Sequence, residues 1–189
     1  LLGAVEVSDG RRIVLTVYGV CLVGLFTVSA LYHSVPWGPD WKRRMRRADH
    51  TMIYVFIAAA LSPFAFVLTD GWMRGLLIGS QWLLVSVGIA EKLLVRRVGM
   101  GFSTTLQTIQ GWSGLLIAVP VVEQLPPAAW SRLLIVGALY TIGMVMVVTG
   151  RPRLWEHVFS YHEVFHILVI IATAIHLWVV LNFVAPFPG

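Results

Sequence analysis

Residues 50–69, HTMIYVFIAAALSPFAFVLT, run for 20 positions without an Asp, Glu, Lys or Arg. A helix rising about 1.5 Å per residue needs roughly 20 residues to cross a bilayer's hydrocarbon. The stretch is continuously apolar rather than alternating, which argues against the strands of a transmembrane β-barrel. Working outward, charge-free runs recur at 13–39, 75–90, 98–122, 133–150 and 164–189. Those at 13–39, 98–122 and 164–189 are also long enough to span, and 133–150 is slightly short. The run at 75–90 is shortest, but it extends through Glu91 and Lys92 to residue 95. The sequence therefore predicts an all-α, polytopic transmembrane helix bundle. It has six spanning helices and forms a single domain over residues 1–189.

Composition agrees. Hydrophobic residues make up 58% of the chain and charged residues 12%, about half the usual charged share for a soluble domain. Mean hydropathy is +0.81. A net charge of +5 could suggest a nucleic-acid partner. The cations, however, fall in short segments between apolar runs, where they set membrane orientation, so nucleic acid is excluded. Lys42, Arg43, Arg44, Arg46 and Arg47 separate the first two runs. Lys92, Arg96 and Arg97 separate the third and fourth, and Arg151 and Arg153 the fifth and sixth. Those connections share one side and hold 10 cations, against 4 (Arg11, Arg12, Arg74 and Arg132) on the other. The richer side is expected in the cytoplasm. Both ends of the chain then face outward. A chain starting in the cytoplasm would need one more helix before residue 13, with Leu1 and Leu2 as its stub. The N-terminal residues show no signal-peptide pattern. Cys21 is the single cysteine, so no intrachain disulfide forms.

Three motifs carry chemistry. Ser29-Ala30-Leu31-Tyr32-His33 closes the first helix, Arg47-Ala48-Asp49-His50 opens the second, and His162-Glu163-Val164-Phe165-His166 opens the sixth. The orientation set by the cations brings all three to the cytoplasmic level. His162 and His166 stand i,i+4 and project from one helical face, as do Ser29 and His33. Three histidines from two helices can supply a tetrahedral Zn²⁺ site with one position open to water, whose pKa the metal lowers toward ~7. Asp49 would orient that water or take its proton. Ser29 would hydrogen-bond the site or the reacting carbonyl.

Plainer readings stand beside these. Histidines at a membrane boundary are commonly interfacial. Asp49 could cap the second helix and pair with Arg46 or Arg47. Ser29 could bond back within its own helix. Ionisable groups inside membranes are nonetheless costly and commonly functional. His176 lies ten residues past His166, about 15 Å along a helix, too far to share a metal. His50 and His157 read as interfacial, as does Glu91 through its neighbour Lys92. Glu163 points about 100° from His162, which favours a supporting or solvent role. Pro63 and Pro120 read as kinks. Gly99, Gly101, Gly111 and Gly114 read as close helix packing. The eight Trp read as interface anchors.

The blocks SALYH (29–33), ADHTMIYVFIAAALSPF (48–64) and HEVFHILVIIATAIH (162–176) resemble the signature blocks of the haemolysin III family. That family belongs with the progestin and adipoQ receptors, including the adiponectin receptors. The resemblance implies a seven-helix fold of which this chain carries helices two to seven. It also implies zinc held by His33, His162 and His166 near the cytoplasmic face. Asp49 would touch the zinc-bound water, with Ser29 beside it. The implied activity is ceramidase-like hydrolysis of a lipid amide or ester, with a membrane lipid as substrate. The alternative is a non-enzymatic cytolytic pore former, or a receptor with structural zinc. The short ends are similar to those of the bacterial branch, which implies the cell membrane of a bacterium. Nothing resembles an adiponectin-binding head.

Overall fold

The computed structural model describes residues 8–94, 100–155 and 159–187. Residues Leu1, Leu2, Arg96, Arg97, Gly99 and His157, named above, lie outside them. Helices dominate: α1 (Asp9–Ser34), α2 (Pro39–Leu68), α3 (Gly71–Leu94), α4 (Met100–Trp112), α5 (Gly114–Val121), α6 (Pro127–Thr149) and α7 (Tyr161–Val179). A π-helical turn, Val180–Val184, continues α7, and a short hairpin of β1 (Arg153–Trp155) and β2 (Phe159–Ser160) precedes it. Five helices among the described residues are long and apolar enough to cross a membrane. This is an integral membrane protein of the all-α class. The fourth apolar run differs from a plain span, because it divides at Ser113 into α4 and α5.

Local sequence explains the ends. The Ser8 side chain accepts from the Arg11 backbone N–H at 3.4 Å, and Asp9 adds favourable charge to the first turn of α1. Proline starts both α2 (Pro39) and α6 (Pro127), where its missing N–H costs nothing. Gly150, at φ 62°, ends α6 in the left-handed conformation that glycine adopts freely.

The chain forms two compact units, residues 1–117 with 188–189, and residues 118–187. In the first, α1 and α2 run antiparallel, with Tyr18 and Phe56 rings 6.1 Å apart and Gly24 against Met52. Tyr54, Ala58 and Val85 are the centre of its core. Gly88 is required there: a Cβ would lie 2.7 Å from the Tyr54 ring. Lipid tails are as apolar as these side chains, so helix pairing rests on close packing and polar contacts rather than water exclusion. The polar contacts are dense. Tyr54 Oη donates to Glu91 Oε2 at 3.3 Å and to the Ser103 carbonyl at 3.2 Å. Ser103 Oγ donates to Glu91 Oε1 at 2.6 Å. Gln110 Nε2 donates to the Tyr54 carbonyl at 3.1 Å, and Gln81 Nε2 to Ser113 Oγ at 2.5 Å.

In the second unit α6 and α7 run antiparallel. The Tyr140 and Thr173 hydroxyls are 2.9 Å apart, the Arg132 guanidinium lies 4.3 Å over the Trp178 ring, and Gly143 leaves room for Phe165.

Glu91 pairs with its neighbour Lys92, as expected, and is also buried against Tyr54 and Ser103. One expectation changes here. The cations 42–47 stand on the first turns of α2, not in a loop, because the helix starts at Pro39.

Candidate metal centre

The start of α7 is built by its own sequence. Ser160 and Glu163 form a capping box, in which Glu163 Oε2 accepts from the Ser160 backbone N–H at 2.7 Å and from Ser160 Oγ at 2.9 Å. This pairing satisfies orphan donors at the helix start and fixes where the helix begins. His162 and His166 consequently fall in the first two turns, four residues apart on one face. Their Nε2 atoms are 3.1 Å apart, and their rings meet nearly perpendicular, at 85° with centroids 4.6 Å apart. Phe165 flanks His166 at 5.7 Å, and Tyr161 flanks His162 edge-on at 6.4 Å. Both histidines are half-buried.

The pair suits a metal. With Zn–N bonds of about 2.0–2.1 Å, neighbouring nitrogens of a tetrahedral site stand roughly 3.3 Å apart. The observed 3.1 Å is close to that edge. Neutral imidazole is a borderline ligand that favours zinc over the hard cations, which prefer oxygen.

In the other unit, Ser29 and His33 lie in the last two turns of α1, Ser29 half-buried and His33 exposed. The His33 ring meets Tyr32 at 4.5 Å and 67°. A helix C-terminus favours a histidine there. Within the second unit, His162 and His166 could hold a metal ion together.

Asp49 is half-buried and lies within α2, ten residues beyond Pro39. It therefore does not open that helix, and the capping role weighed for it is excluded: Gly38 occupies the cap. Ion pairs among the described residues join Arg43 to Asp40, Arg74 to Asp70 and Lys92 to Glu91, and none includes Asp49.

The remaining histidines divide. His176 is buried in α7 at 6% exposure. His50 is half-buried, and its carbonyl accepts from Gln107 Nε2 at 3.4 Å. Gly114 is a close-packing glycine, since a Cβ would meet Leu61 at 3.0 Å, whereas Gly111 has open space. Sequence reasoning missed the helix-starting role of Glu163, although Ser160-Tyr161-His162-Glu163 spells a capping box.

Comparison with known proteins adds lineage. A family model described as Haemolysin-III related matches residues 1–177. "Hemolysin-3" of Bacillus cereus is 31% identical over 171 residues, covering 90% of this chain and 75% of that protein. "Hemolysin-3 homolog" of Bacillus subtilis (strain 168) is 27% identical, covering 92% and 78%. The human "Monocyte to macrophage differentiation factor" is 22% identical, covering 94% and 73%.

Proposed function

This chain belongs to the haemolysin-III related family, and on that premise we propose that it is a zinc-dependent hydrolase of a membrane lipid amide, ceramide-like, or of a lipid ester. The observation that carries the reading is the His162–His166 pair, with Nε2 atoms at a spacing that suits two ligands of one ion. His33 is the third ligand in this proposal. The site opens at the face that the cation count assigns to the cytoplasm, in the cell membrane of a bacterium.

A bound zinc ion supplies Lewis acidity, which polarises a carbonyl and lowers the pKa of water. The chain's own residues do the rest. His162 and His166 are held by a capped helix start and by flanking aromatic rings, so little ordering is left for the ion to impose. Asp49 takes a proton from the attacking water as the new C–O bond forms. It returns that proton to the leaving amine nitrogen or alkoxide as the old bond breaks. Ser29, one turn before His33, supports the site by hydrogen bonding.

Metal analysis of the purified protein should find about one zinc per chain. His162→Ala combined with His166→Ala should remove it and lower the melting temperature, since an ion bound only to the folded state stabilises that state. Full zinc occupancy in the double variant would sink the assignment. The names of the Bacillus relatives favour a second reading, cytolysis without hydrolysis. Dye release from vesicles by a zinc-loaded protein that cleaves no lipid in a ceramide and ester panel would select it.

A further inference from the structure

The helix α2 is longer than a bilayer core. Its 30 residues reach about 45 Å at helical rise, against roughly 30 Å of hydrocarbon. The apolar stretch 51–68 accounts for about 27 Å of that length. Residues 39–50 therefore continue outward as rigid helix through the headgroup layer. Arg46 and Arg47 stand five and four residues before Thr51, about 6–8 Å beyond the hydrocarbon, which is the depth of lipid phosphates.

Three of the five cations on this projection already have partners. Lys42 Nζ donates to the Tyr32 carbonyl at 2.9 Å and lies over the Tyr32 ring. Arg43 pairs with Asp40, and Arg44 stacks over Trp41. Arg46 and Arg47 are exposed, and neither joins an ion pair among the described residues.

We propose that Arg46 and Arg47 form a binding surface for anionic phospholipid headgroups, with the arginines on the phosphates. The rigid helix holds both guanidiniums at fixed depth, and guanidinium binds phosphate by paired N–H donors. The proposal does not rest on the metal reading, so it stands whether or not the protein hydrolyses lipid.

The test uses the full chain in nanodiscs of mixed phosphatidylcholine and phosphatidylglycerol, followed by native mass spectrometry of the lipids it retains. The wild type should enrich phosphatidylglycerol. Each cation near a membrane surface is worth roughly fivefold in attraction, so R46Q/R47Q should cut that enrichment by up to about twenty-five-fold. Arg12→Gln, an exposed cation at the other end of α1, should lower it by no more than the roughly fivefold of a single dispersed cation. Raising the salt should weaken the wild-type enrichment, a readout that does not depend on the variant folding. Equal retention of the two lipids by the wild type would overturn the proposal. So would enrichment untouched in R46Q/R47Q by a correctly inserted protein, or an equal loss in Arg12→Gln.

Discussion

An Asp-to-Asn change at position 49 exchanges a carboxylate for an amide of the same shape. At a helix cap the two serve almost equally, which would blur the experiment. Asp49 sits well inside α2, so that ambiguity is gone. If Asp49 is the general base, Asp49→Asn should keep zinc and fold yet lose lipid hydrolysis by about 10²–10⁴-fold. Hydrolysis of a ceramide panel in nanodiscs, measured beside zinc content, reads both quantities; an unchanged rate removes Asp49 from the mechanism. At this scale the histidines were legible, because four-residue spacing places two side chains on one helical face whatever the surroundings. The position of Asp49 within its helix was not. A run of five cations read as the connection between two helices, although Lys and Arg are good helix formers.

Helix pairing depends on a few contact points. Gly88 packs under the Tyr54 ring, whereas Gly79, on the same helix, has nothing within 4 Å of where its Cβ would be. Gly88→Ala should therefore destabilise by about 1–3 kcal/mol through overpacking. Gly79→Ala should be neutral or gain up to about 1 kcal/mol from helix propensity. Apparent melting temperatures in one detergent check the pair, and equal behaviour would show that α2 and α3 are not in close contact there. Hydropathy located the spans well, since length and absence of charge are what a bilayer demands. It could not reveal the division at Ser113, which leaves the apolar run intact, nor the burial of Glu91. That burial depends on Tyr54 and Ser103, distant in sequence.

Across the whole molecule, polar contacts between helices have an order in time as well as in space. The most apolar 18-residue stretch of α3 has a mean hydropathy of 1.4, the lowest such value among the five long helices, and α3 carries Gln81 and Glu91 buried. Tyr54 and Lys92 already reach Glu91, but Ser103, which donates to Glu91, and Ser113, which accepts from Gln81, are synthesised later. Alone in lipid, α3 would hold an amide and a carboxylate without these donors and acceptors, at a cost of several kcal/mol. During biosynthesis it should therefore wait at the insertion machinery until α4 emerges and enter the bilayer as a hairpin with it. Glycosylation mapping of nascent chains would show this as poor insertion of α3 in a chain ending at residue 94 and efficient insertion in one ending at residue 122. Equal insertion at both lengths would mean that α3 enters alone.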